Sequence, residues 1–125
     1  PIWSNDFYDA LYKSKMALNL SRINNVKYYS SNRIASLVGN GILTFVDINT
    51  RLNDFFSNDE IVFYKNIKDL SQKLKYYKEN EDKRLKIAKK GKEKYFKIFN
   101  NEIIADYICS RLFDRNVKKN IFWMK

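Results

Sequence analysis

Six consecutive residues, Ile42-Leu43-Thr44-Phe45-Val46-Asp47, make a nearly unbroken β-branched and aromatic run that closes on a carboxylate. A run this short and this apolar reads as a strand, and the lack of polar alternation means that both of its faces are covered. Covering a strand twice takes a layer of helices on each side, the arrangement of parallel strands joined by crossover helices. The run therefore steers the chain toward an α/β architecture.

The flanking segments fit that frame. "SNDFYDALYKS", from Ser4, carries Phe7, Tyr8 and Leu11 at helical spacing behind a Ser4 or Asn5 cap. "KMALNLS", Lys15 to Ser21, has the length and polarity of a buried strand, and "RINNVKYY" reads as a polar loop. A helix is expected from about Asn32 to Val38, stopped by Gly39 and Gly41. After Asp47, "NTRLNDFFSND" reads as a short helical turn and "EIVFY", Glu60 to Tyr64, as a third strand. Three helices follow. The first is capped by Asn66 and turns Ile67, Leu70, Leu74 and Tyr77 to one face. The second runs from about Glu81 to Phe99, with Leu85, Ala88, Tyr95 and Phe99 on its apolar side. The third runs from about Asn101 to Phe113, with Ile104, Ile108 and Leu112 inward.

Alternating strands and helices give right-handed parallel crossovers. The expected fold class is α/β, a Rossmann-like three-layer half domain with a short parallel sheet of about three strands and a C-terminal helical run. Residues 1–113 form this unit and residues 114–125 a tail of weak periodicity. Two sheet edges stay open, so the edge is expected to meet the other half of a doubly wound domain, a partner or a second copy. The chain opens on Pro1, which is read as a piece of a longer protein.

Composition narrows the chemistry. There is no histidine, which removes imidazole triads and imidazole-based zinc sites. Cys109 is the single cysteine, so no disulfide forms within the chain, and its place on an apolar helical face suggests a buried, inert thiol. No apolar run approaches the roughly 20 residues that span a bilayer. The formal charge is +10. That excess fits either a polyanionic partner or a general bias toward Lys, Asn, Ile, Tyr and Phe. Much of it sits in "KRLKIAKKGKEKYFK", where eight Lys or Arg face one acid, Glu93. Its lysines make either a solvated helix surface or, near Lys86, Lys89, Lys90 and Lys97, a face attracted to an anionic membrane. No RNA-recognition signature accompanies them, and a nucleic-acid partner is not expected.

The richest stretch for function is "YYSSNRIASLVGNGILTFVD", Tyr28 to Asp47. In open α/β sheets ligands sit beyond the carboxyl ends of the strands, where a helix N-terminus presents unpaired N–H groups and a positive dipole end. Ser30, Ser31 and Asn32 add small donors at such a helix start, and Arg33 adds a charged fork. Two readings stand together: the cluster faces an anionic ligand, or Ser31 simply caps the helix. Asp47, at the end of its strand, either meets a ligand hydroxyl or forms the next turn.

The segment from "YDALYKSKMALNLSR" through "YYSSNRIASLVGNGILTFVD" to "LNDFFSNDEIVFYKNIKDLSQKLKYYKENEDKRLKIAKKGKEKYFKIFN" resembles the C-terminal donor-binding portion of GT-B glycosyltransferases of the "glycosyl transferases group 1" type. The resemblance covers roughly Phe7 to Phe113. It implies a transferase that moves a sugar from a nucleoside diphosphate sugar to an acceptor hydroxyl, with an N-terminal domain missing from this piece and supplying the catalytic base. It implies that Ser30, Ser31, Asn32 and Arg33 lie against the donor diphosphate and that Gly39 and Gly41 are structural. It also implies that Ser36 takes the place of a glutamate that holds the donor's hydroxyls, while Tyr28 stands where related families carry a second glutamate. No metal and no cofactor are implied beyond the nucleotide-sugar substrate. The setting implied is bacterial cell-envelope biosynthesis, in the cytoplasm or peripherally on the inner membrane face. The loss of the glutamate at Ser36 keeps one alternative open, a non-catalytic Rossmann-like interaction module derived from such an enzyme.

Overall fold

The computed structural model describes residues 4–21, 26–29, 31–116 and 121. In chain order the elements are α1 (Ser4–Lys13), β1 (Met16–Asn19), α2 (Asn32–Gly39), β2 (Leu43–Asp47), β3 (Val62–Tyr64), α3 (Ile67–Glu79), α4 (Glu81–Ile98) and α5 (Asn101–Leu112). Two single 3-10 turns, Ile48–Thr50 and Leu52–Asp54, follow β2. The strands form one open parallel sheet in the order β1-β2-β3, with Met16 opposite Leu43, Asn19 opposite Val46 and Phe45 opposite Val62. This is the small Rossmann-like half domain that the sequence implies.

Every residue of β2 is buried, as its composition requires of a central strand. Strand alternation then splits the core into two clusters. On one face Val46 and Phe63 meet Ile34 and Val38 of α2 together with Leu52, Phe56 and Ile98. On the other, Leu43, Phe45, Val62 and Tyr64 meet Ala88, with Leu70 and Tyr77 of α3 packed against them. Phe45 is fully buried, worth roughly 1.5–3 kcal/mol relative to an exposed ring.

Helix α4 belongs to both clusters: Ala88 joins the α3 side and Ile98 the α2 side. It passes from one face to the other under the amino ends of the strands, and Gly91 makes the passage feasible. A Cβ placed there would lie 2.2 Å from the Glu60 carbonyl oxygen, just before β3. The end of α2 is equally specific. Gly41 has φ +73, its N–H donates to the Val38 carbonyl and the Ile42 N–H to that of Leu37, a Schellman closure. Gly39 is the last helical residue, with room for a Cβ at ordinary contact distance from Phe96.

The helical faces depart from expectation in three places. In α5 the more buried positions are Ile103, Tyr107 and Ser110, whereas Ile104, Ile108 and Leu112 are exposed. Apolar residues stand side by side at 103–104 and 107–108, so spacing alone fits either face. Cys109 is consequently exposed rather than buried. In α3, Asn66 does cap, accepting from the Asp69 N–H at 2.9 Å, but Ile67 is exposed and only Leu70 and Tyr77 reach the core. In α4, Leu85 is exposed while Arg84 is only 4 % exposed, its guanidinium donating to the Tyr77 carbonyl at 3.2 Å and paired with Glu81. A cation on the last carbonyls of α3 complements that helix's dipole and ties the two helices together.

Candidate functional site at the carboxyl end of the sheet

The carboxyl ends of β1 and β2 and the entry to α2 come together on one side of the sheet. Because Asn19 lies opposite Val46, it faces the α2 layer. It is 1 % exposed, and its Oδ1 has no hydrogen-bond partner among the described residues. Two residues on, the Ser21 hydroxyl oxygen is also buried and, among the described residues, unpaired. Across from them Ser31 occupies the N-cap position of α2, with extended backbone (φ −97, ψ 162). Its side chain makes no capping bond, and its Oγ is buried without a partner among the described residues. The simple capping role expected for Ser31 is therefore not realised. Buried polar atoms without partners are rare in folded proteins, and here three gather at one strand end and one helix mouth.

The helix they surround carries no acidic residue in its first turn, so that turn offers nothing to offset its positive end. Arg33 reaches back across the junction, donating from Nη1 to the Leu20 carbonyl at 2.7 Å, which fixes the α2 entry against the end of β1. That bond uses one of the five guanidinium N–H groups. Asn32 is exposed. Ser36, one turn on, donates to the Asn32 carbonyl at 3.3 Å, a bond inside its own helix. Ser30 lies outside the described residues.

Asp47 ends β2 as a turn former. Its Oδ1 accepts from the Asn49 N–H at 2.9 Å, and its carbonyl accepts from the Thr50 hydroxyl at 2.7 Å. The turn it starts is what Tyr28 docks on. The Tyr28 N–H donates to the Thr50 carbonyl at 2.9 Å and its hydroxyl to Asp54 Oδ2 at 2.8 Å. These bonds hold Tyr28 at φ +61, a left-handed conformation unusual for an aromatic residue. The Tyr28 hydroxyl, with help from Arg51, holds the Asp54 carboxyl below its ordinary value of 3.8.

Beside this junction lies a cavity of about 310 Å³ walled by Tyr28, Ile34, Leu52, Phe55, Tyr95 and Phe99. Its rings touch edge to face or tilted, with Tyr28 and Phe55 4.8 Å apart by centroid. Burial pushes the Tyr95 phenol above its ordinary range. The carboxyl end of the α2 layer thus combines neutral acceptors, a bare helix N-terminus, a tethered guanidinium and an aromatic cavity.

The sequence profile described as glycosyl transferase-like matches residues 1–110. The chain belongs to that family. Its function is accordingly glycosyltransferase-related. No curated protein and no solved structure matches it.

Of the positions singled out from sequence, Ser31 and Arg33 stand at the junction, and Asn32 sits between them on the exposed first turn. Ser36 is engaged with its own helix. Asn19 and Ser21 were missed as site residues. The signal for Asn19 was present in "MALN", where an amide follows three apolar residues on a strand too short to leave it outside.

Proposed function

We propose that this chain is the donor-binding half of a GT-B nucleotide-sugar glycosyltransferase. The donor's pyrophosphate rests at the N-terminus of α2, within reach of Arg33 and the serine-flanked entry. The observation that carries this reading is the set of buried oxygens of Asn19, Ser21 and Ser31, unpaired among the described residues, beside a helix whose first turn carries no acid. A ligand bearing hydroxyls and phosphates satisfies both deficits at once, the hydroxyls donating to Asn19 Oδ1 and the serine hydroxyls turning to donate to phosphate oxygens.

In the reaction the bond between the sugar's anomeric carbon and the diphosphate oxygen breaks, and a bond to the acceptor oxygen forms. The acceptor's proton passes to a base on an N-terminal domain, and the nucleoside diphosphate leaves. The α2 dipole and the Arg33 guanidinium stabilise the charge that develops on the leaving diphosphate. The β1 edge, unpaired among the described residues, is where the first half of the donor domain continues the sheet. A second reading, a non-catalytic interaction module, draws support from Ser36, whose hydroxyl is spent on its own helix.

Calorimetric titration of the chain joined to its N-terminal domain with uridine, guanosine and adenosine diphosphate sugars tests the proposal. Saturable binding of one donor, weakened by Arg33→Ala and by Asn19→Ala, is the expected result. Failure of every donor to bind, with no effect of either substitution, leaves the interaction module as the better account.

A further inference from the structure

The opposite end of the sheet holds a second concave feature, unrelated to the donor reading. Asn58 and Asp59 lie just before β3, and beside them the end of α3 and the first half of α4 enclose a groove of about 380 Å³. That volume falls within the range of small-molecule sites. Three lysines of α4, Lys83, Lys86 and Lys90, line it together with Tyr76, Tyr77 and one acid, Asp59. At 3.6 residues per turn these lysines project from one side of the helix, so the clustering follows from α4 being a helix.

Their partners leave a surplus. Lys90 pairs with Asp59 at 3.3 Å, and both stay well exposed. Lys83 donates to the Tyr76 hydroxyl and lies 5.1 Å from the centre of that ring. The contact with Tyr76 keeps the Lys83 ammonium charged, shifting its titration upward. Lys86 is exposed and makes no hydrogen bond or ion pair among the described residues. The carbonyl end of α3, which would repel an anion, is occupied by Arg84 through the Tyr77 carbonyl. Three cations against one carboxylate leave an excess of two positive charges, the complement of a phosphate dianion. The Tyr76 and Tyr77 rings, 5.1 Å apart and nearly perpendicular, supply an apolar wall beside it.

We propose that this groove is a second anion site, taking a phosphate monoester whose phosphate sits among Lys83, Lys86 and Lys90 and whose attached group packs on Tyr76 and Tyr77. The phosphate comes either from a free phosphorylated compound or from a lipid headgroup. The site lies at the amino end of the strands, away from the α2 entry, so donor binding at α2 neither requires it nor competes with it.

Backbone NMR of the 125-residue chain, titrated with inorganic phosphate, phenyl phosphate and phosphatidylcholine vesicles with or without phosphatidic acid, tests this. Saturable shifts confined to residues 58–59, 76–77 and 83–90 are expected, with phenyl phosphate binding more tightly than inorganic phosphate. Lys83→Gln/Lys86→Gln should weaken binding roughly tenfold. Lys86→Gln alone, which breaks no hydrogen bond or ion pair among the described residues, should give part of that loss. Lys89→Gln/Lys92→Gln removes the same charge outside the groove and should change nothing. Response to phosphatidic acid vesicles alone, at these residues and with the same variant pattern, assigns the phosphate to a lipid headgroup. Shifts spread over all lysines, equal loss from both double variants, or no saturation with any probe overturns the proposal and leaves only the diffuse field of a +10 chain.

Discussion

At the carboxyl ends of the strands the buried polar atoms beside α2 are small, neutral and unpaired among the described residues, whereas at the amino ends the groove is lined by long, charged and largely engaged side chains. The contrast follows from what each end has to pack. The carboxyl end receives a helix start and a turn, which bring backbone dipoles and leave pockets between them. The amino end receives the flank of α4, laid directly on the backbone at Gly91, so only side chains that reach outward past that contact carry polarity there. In the functions proposed for them, one end takes a ligand's hydroxyls and phosphates by what it lacks, and the other takes an anion by what it displays.

The contrast breaks most severely at Gly91. A Gly91→Ala side chain meets the Glu60 carbonyl oxygen at 2.2 Å, so α4 must lift from the sheet. A loss of about 3 kcal/mol in urea unfolding is expected, and a variant as stable as the parent would show that α4 is not seated there. Next in size is Arg84→Ala, which empties a buried position and strips the Tyr77 carbonyl of its donor. A cost of about 2 kcal/mol is expected in the same measurement. Asn19→Leu tests the carboxyl end with the opposite sign. It removes an unpaired buried acceptor, so stability should rise by about 1 kcal/mol while donor affinity falls. A rise in both would detach Asn19 from the donor.

The smallest effect is acid sensitivity of the carboxyl end. Asp54 is held below 3.8 by the Tyr28 hydroxyl, and Asp69, at the start of α3, by its bond from Lys73. A carboxyl with a lowered folded value contributes stability that is complete above its unfolded value and is lost as pH falls through the lower, folded one. Protection of the Tyr28 amide, measured against its intrinsic exchange rate, should therefore fall below about pH 4 while protection at β2 holds. Asp54→Asn should remove the pH step at Tyr28, and a step that persists would place its origin elsewhere.

The architecture was legible because its signals are local. The run from Ile42 to Asp47 announces a doubly covered strand, and Asn66 announces a helix start through a bond to a residue three positions away. Ser31 shows where such local logic stops. Its place before α2 was read correctly, but its hydroxyl makes no capping bond. Ile104, Ile108 and Leu112 show the same limit for periodicity, since neighbouring apolar positions offered α5 two faces. Arg84 went unremarked among its lysine neighbours, because nothing in the spacing distinguishes the one basic residue that meets a helix end.

By itself, then, the sequence determined the parallel α/β class, the extents of α2 and β2, the glycine-closed end of α2 and the serine- and arginine-bearing entry to it. These depend on residues within a turn or two of one another. Tertiary structure alone decided that Asn19 is buried without a partner among the described residues, that Gly91 meets the backbone just before β3, that α5 turns Cys109 to solvent, and that three lysines share a groove with two tyrosines. Each of those depends on which surface of another element arrives opposite, and chain spacing carries no record of that.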